Sequence, residues 1–231
     1  SWVNEGCSML ASYLCGFLDQ MRPHIEAFSL NPSLPITSWP RRGESSLANY
    51  GAVLLWTLYM YERFGGAAIL KAIVHNGLNG IDGIESALRS MGLNLSFDKV
   101  FSDWKVANLI DDPILEGGKY YYKGVDLKVR TTRNRWGYLE GWQPEYVEVR
   151  PEGEGRLSVL FEGEPGYKAD VRVALFKGNR ALSVGSIRVN IETGTGRTVI
   201  ERFGIDFDRA VVAPSYSLKG GTRAGYSISF K

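Results

Sequence analysis

Few residues in this chain combine the type and the spacing that chemistry needs. Glu5, within Trp2-Val3-Asn4-Glu5-Gly6, is a carboxylate at the opening of an amphipathic segment. With each residue turned about 100° from the last, Val3, Cys7, Leu10, Leu14, Leu18 and Met21 cluster opposite Glu5, and Ser8 and Ser12 fall beside it. A carboxylate in a first helical turn is favoured by the helix dipole as a solvated group, and the same oxygens can ligate a metal. The chain has two histidines, His24 and His75, and no HExxH pair. Catalytic zinc takes three protein ligands and an open position, so Glu5 by itself does not make such a site. His75 precedes an Asn-Gly turn, where an imidazole meets the last carbonyls of a helix; it is read as capping or surface, as is His24 beside Pro23. Cys7 and Cys15 lie about 12 Å apart along one helix, too far for a disulfide, and are expected to be free and buried. Asp206 and Asp208 lack the Gly and distal Glu of a calcium loop and are read as solvated turn charges.

The segment Trp2-Val3-Asn4-Glu5-Gly6 resembles the W-[LV]-N-E-G stretch of gluzincin metallopeptidases, the group that contains aminopeptidase N-like enzymes, thermolysin and hyicolysin-like peptidases. The likeness is closest to the hyicolysin-like enzymes. It runs on through Cys7-Ser8-Met9-Leu10 and returns at Asn49-Tyr50-Gly51-Ala52 and Tyr59-Met60-Tyr61-Glu62-Arg63-Phe64-Gly65. It implies that Glu5 is the third zinc ligand, downstream of an HExxH helix that carries two His ligands and the general base. That helix would belong to an upstream part of the same protein. Zinc is then the cofactor of the parent, with none expected in this chain alone, and the substrate is a peptide or protein. An extracellular or cell-surface setting is implied by the same likeness. Tyr50 is the candidate catalytic residue: in aminopeptidase N-like enzymes a Tyr on a later helix stabilises the tetrahedral oxyanion. Here Tyr50 directly precedes Gly51-Ala52, whereas that family has two intervening residues. The alternative for Tyr50 is a packed aromatic beside Trp56, Tyr59 and Tyr61.

The elements that must position these residues divide at Asp111-Asp112-Pro113. Every Cys, His and Met lies before that point. Up to it the apolar period is helical, and after it strands alternate and Gly recurs. Five helices are expected: Val3 to Asp19 with a brief continuation past Pro23, one opened by Ser45 or Ser46 through Tyr61, Ala67–Val74, Ile81–Ser90, and one capped by Ser96 that carries Phe97, Val100, Phe101, Trp104, Ala107 and Ile110. Asp98 and Asp103 are placed on its outer side. The Pro-rich stretch from Asn31 to Gly43 reads as a loop, either bordering a substrate cleft or simply connecting helices. Strands are expected at Val125–Arg130, Tyr146–Arg150, Leu157–Phe161, Val171–Phe176, Ile187–Ile191, Ala210–Ala213 and Tyr226–Phe230. Trp136, Tyr138 and Trp142 sit near the second of these; such clusters bind sugars or extended peptides, or seal an interface to the helical layer, and the interface is the reading preferred here.

The fold class is therefore α then β: a helical subdomain of a metallopeptidase-like domain over residues 1–114 and an antiparallel β-sandwich over 115–231. At 231 residues, 44% hydrophobic and 23% charged, the chain has ordinary globular composition. A net charge of +2 without a long basic run argues against a nucleic-acid partner, and no apolar stretch is long enough to cross a membrane. Two functions remain: part of a zinc peptidase, inactive as this chain alone, or a non-catalytic cell-surface or binding protein with a β-sandwich interaction module.

Overall fold

In the computed structural model, residues 1–39, 46–219 and 221–231 are described. Six helices precede two four-stranded antiparallel sheets: α1 Trp2–Leu14, α2 Leu18–Leu30, α3 Leu47–Arg63, α4 Ala67–His75, α5 Gly80–Ser90 and α6 Phe97–Ile110, then β1 Trp136–Glu140, β2 Val147–Val149, β3 Gly155–Gly163, β4 Ala169–Lys177, β5 Arg180–Ile187, β6 Thr195–Phe203, β7 Arg209–Tyr216 and β8 Arg223–Phe230. The chain forms two compact units. One comprises Ser1–Pro113 with Lys119–Val129, the other Ile114–Gly118 with Arg130–Lys231.

In the helical unit α3 is apolar on nearly every side, and it is buried without interruption from Gly51 to Met60. A helix of that composition can only be central. Two glycines let its neighbours close on it. A Cβ on Gly51 would strike the His24 carbonyl of α2, and one on Gly6 would strike Thr57 Oγ1 and lie 2.9 Å from the Val53 carbonyl oxygen. An aromatic cluster completes the core. Trp56 of α3 meets Phe97 and Trp104 of α6 at ring-centre distances of 5.0 and 5.6 Å, and Trp2 of α1 meets Phe97 at 5.8 Å.

The single helix expected over Val3–Asp19 is two. Gly16, at φ 91°, breaks it, with the Gly16 and Phe17 amides donating to the Tyr13 and Ser12 carbonyls. α2 then runs through Pro23 to Leu30, at the loss of one helical hydrogen bond. The break also changes which face of α1 is inside: Gly6 and Leu10 are buried, while Leu14 is 48% exposed. Both thiols are free; Cys7 is half-buried, but Cys15, at the break, is exposed rather than buried. Ser46 is the residue before α3 and makes no side-chain cap, and Ser45 and the stretch 40–45 lie outside the described residues. Ser96 does cap α6, accepting from the Lys99 amide at 3.3 Å. Asp103 is not on an outer surface: it is 7% exposed and held by Lys99 Nζ at 2.8 Å and Lys119 Nζ at 3.0 Å.

No strand forms at Val125–Arg130. The alternation there has another cause, since Val125 and Leu127 bury in the helical unit. The Leu127 amide that a ladder would need is taken by Asp111 Oδ2 at 2.8 Å, and Asp111 Oδ1 accepts from the Tyr122 amide at 2.9 Å. Tyr122 Oη donates to Asn108 Oδ1 at 2.6 Å, the Lys123 amide donates to Glu62, and Arg63 Nη2 donates to the Tyr121 carbonyl. Asp111 itself closes α6 in the left-handed conformation, at φ 42°.

In the second unit the strand orders are β1-β8-β3-β6 and β2-β7-β4-β5. Inward residues of both sheets share one core, among them Val147, Val159, Phe161, Val173, Val212 and Ile228. Tyr216 of β7 crosses between the sheets, donating to the Gly225 carbonyl of β8 at 2.7 Å and accepting from the Glu164 amide at 3.3 Å. The layout is thus helical, then a two-sheet antiparallel β-sandwich. Strands β1 and β6 were not expected, and the strand expected at Ile187–Ile191 lies earlier, as β5.

Two outcomes follow from the anchored segment 119–129. Asp111→Asn turns an amide N–H₂ toward one of the two backbone N–H donors, and is expected to destabilise the helical unit by about 1–3 kcal/mol in urea unfolding. Burial pushes the Glu62 carboxyl above its ordinary range, against the opposing pull of the Lys123 amide and of Arg63 and Lys123. A carboxyl raised in the folded state keeps its full contribution below the unfolded pKa and loses it as pH rises through the folded one. Stability is therefore expected to fall from the ordinary Glu range upward. Glu62→Gln, which keeps an acceptor and cannot ionise, is expected to flatten that slope in a pH series of melts.

Candidate functional site

The N-terminal motif is placed by packing rather than by capping. Ser1 precedes α1 with no side-chain cap, and the Glu5 amide donates to the Ser1 carbonyl at 3.1 Å. Trp2 is fixed in the aromatic cluster and Gly6 is fixed against α3, so the intervening residues have no rotational freedom about the helix axis. Glu5, between these two anchors, is half-buried. Among the described residues its carboxylate makes no ion pair and no side-chain hydrogen bond. Val3 and Cys7, on the other side of α1, line a recess of about 110 Å³ with Ile73 and Ile84.

Tyr50 is in the first turn of α3, half-buried. Its ring is met edge-on by His24 of α2 at 5.6 Å and by Trp39 at 5.1 Å. The phenol has no hydrogen-bond partner among the described residues, and His24 Nδ1 is buried without one. His24 is therefore not a cap or a solvated residue; it is part of the surroundings of Tyr50. Sequence reading missed this pairing, although the cue is present: Gly51, next to Tyr50, is what admits the α2 backbone at His24. His75 ends α4 with its Nδ1 2.9 Å from the Lys71 carbonyl oxygen, a helix-end role.

Glu5 and Tyr50 thus belong to adjoining helices, each next to the glycine through which a neighbour packs. No group of three His, Cys, Asp or Glu side chains able to hold a metal ion occurs among the described residues. No helix among them is long and apolar enough to cross a membrane.

In the β-sandwich unit Asp206 pairs bidentately with Arg202 at 2.7 and 3.0 Å, and Asp208 accepts from the Gly178 amide at 2.7 Å. The two carboxylates are engaged separately. A cleft of about 560 Å³ is lined by Arg133, Arg135, Glu148, Arg150 and Arg156. Its charges are partly self-satisfied, with Arg150 Nε 2.8 Å from Glu148 and the Arg135 guanidinium over the Phe230 ring at 4.9 Å. Trp136 and Tyr138 are 66% and 70% exposed, and of the three aromatics only Trp142 is buried.

No family model matches the chain, and no curated protein matches it. Among solved structures, that of TmCBM61 in complex with beta-1,4-galactotriose is similar at 15% identity, with a TM-score of 0.22, over 42% of this chain and 66% of the other. The chain spans just under two thirds of that structure's length, and so loose an overlap carries no argument about function.

The close approach at Gly6 sets a test of the geometry around Glu5. Gly6→Ala is expected to cost roughly 1–3 kcal/mol in denaturant unfolding, because the new methyl meets Thr57 and the α3 backbone. Ser8→Ala, on the exposed side of the same helix, is expected to leave stability unchanged.

Proposed function

We propose that this chain is the C-terminal portion of a zinc-dependent peptidase of the gluzincin type, its helical unit the metallopeptidase-like subdomain. Glu5 supplies one of the three protein ligands of the metal. An upstream HExxH helix of the same protein supplies two imidazoles and the general base. The activity of the whole protein is peptide-bond hydrolysis by metal-activated water, on a peptide or protein substrate.

The observation that carries this reading is the state of Glu5: a half-buried carboxylate without a partner among the described residues, held between Trp2 in the core and Gly6 against α3. A carboxylate that no side chain of the described residues engages is available to a metal. One carboxylate does not complete a zinc site, and the sequence carries no HExxH, so the chain by itself is read as inactive. Tyr50 is assigned the oxyanion-stabilising role, for which a phenol suits because it donates a hydrogen bond without changing protonation. Its hydroxyl is without a partner among the described residues, which supports the assignment.

Metal analysis and peptide hydrolysis on three samples test this: the present chain, the protein extended upstream through an HExxH helix, and the extended Glu5→Ala variant. The extended protein is expected to hold one zinc and to cleave. Glu5→Ala is expected to lose metal affinity by more than the roughly 10–100-fold that changes beyond the ligands cost. Equal zinc content and activity with Ala at position 5 would remove Glu5 from the site. Zinc bound stoichiometrically by the present chain alone would overturn the reading.

A further inference from the structure

Strand β1 lies at the edge of its sheet, and Trp136 and Tyr138, two residues apart, project from the same outer face. Among the described residues they are the two most exposed aromatic side chains. Their cross-strand partners on β8 are Ser227 and Gly225, and the Tyr138 ring lies over Gly225, 3.4 Å from where a Cβ would be. The result is a flat apolar strip about 7 Å between ring positions along the strand, on a floor of small residues.

Polar side chains on the same sheet face border the strip. Ser227 pairs with Glu162 of β3, and Ser227 Oγ donates to Glu162 Oε2 at 3.4 Å. Glu140, the next outward residue of β1, is paired with Arg223 at 2.7 and 3.0 Å. That pair cancels its own charge, which leaves no positive field for a polyanion. Addition of a peptide strand to the edge is hindered. Asn134 Nδ2 already donates to the Trp136 carbonyl at 2.9 Å, and the Glu140 amide already donates to Gln143 Oε1 at 3.0 Å. Two of the three outward backbone positions of β1 are therefore occupied.

We propose that this face of the β-sandwich unit binds a neutral oligosaccharide, with Trp136 and Tyr138 stacking on the apolar faces of successive sugar rings and Glu162 and Ser227 taking hydroxyl hydrogen bonds. A pyranose presents C–H groups on its face and hydroxyls at its rim. That distribution matches exposed rings flanked on the same face by a carboxylate and a hydroxyl, with an apolar body and a polar edge on each partner. Two neighbouring exposed aromatic side chains, on a floor that leaves their faces clear, form a contiguous apolar surface that a flat ligand can cover. The reading concerns a unit separate from the one that carries Glu5, so it stands whether or not the peptidase reading does.

Isothermal titration of the present chain with cello-, manno- and galacto-oligosaccharides of three to six units, and with heparin as a polyanionic probe, tests it. At least one neutral oligosaccharide is expected to bind, with Trp136→Ala and Tyr138→Ala each weakening it about tenfold and Glu162→Gln weakening it several-fold. Melting temperatures of the aromatic variants are expected to match the parent, since both side chains are exposed, which separates lost binding from lost folding. Failure of every neutral oligosaccharide to bind would overturn the proposal. So would binding that survives both aromatic substitutions, or binding of heparin alone that fades with salt.

Discussion

The constraint on which the helical unit depends is the burial of α3 on all sides. A helix without a polar face must be surrounded, and its neighbours must come close enough to leave no voids. Gly6 and Gly51 provide the two points of closest approach, one for α1 and one for α2. Once these crossings are set, little else is free. Trp2 enters the Trp56–Phe97 cluster, His24 is brought to the ring of Tyr50, and Glu5 is held one residue from a contact that tolerates no side chain. The placement of Glu5 and Tyr50 is thus a by-product of core packing.

The two units use polar groups in contrasting ways. The helical unit buries Asp103, Lys105 and Asn108 of α6, and Asp103 is tied to lysines at 2.8 and 3.0 Å. A buried charge such as Asp103 is tolerated because it is paired, and removing its partners would strand it. The outer sheet face of the sandwich keeps its charges in water and pairs them across strands, as Glu140 does with Arg223. Exposed pairs of that kind add little to stability.

Much of the architecture was legible in the sequence, and the failures have physical causes. The switch of period near residue 111 marks the change from helix to strand, and Ser96 announces the cap it makes. Periodicity could not show that Gly16 would break the first helix, because the apolar spacing continues in register on both sides of it. Nor could it separate a strand from an extended segment that alternates for another reason: Val125 and Leu127 alternate because they bury, while an aspartate takes the amide that a ladder would use. Strand β6 was hidden because its inward positions include Gly196 and Thr198, which carry no hydrophobic signal. At the site, the motif drew attention to Glu5 and Tyr50. The contact of His24 with Tyr50 depends on a helix crossing, and no single-sequence pattern records crossings.

The return of residues 119–129 to the helical unit carries a consequence for how the chain is made. Synthesis delivers α1 to α6 first, but at that stage the Asp111 carboxylate, the Asn108 amide and Glu62 still lack the partners that Tyr122, Lys123 and Leu127 bring. Between them lies Ile114–Gly118, which belongs to the other unit. The nascent helical layer therefore has to wait, with an open seam, until about residue 129 has cleared the ribosomal tunnel, and only then can it lock. The order of emergence and the order of completion differ: the unit whose chain starts first is closed by a strap that arrives at the threshold of the second.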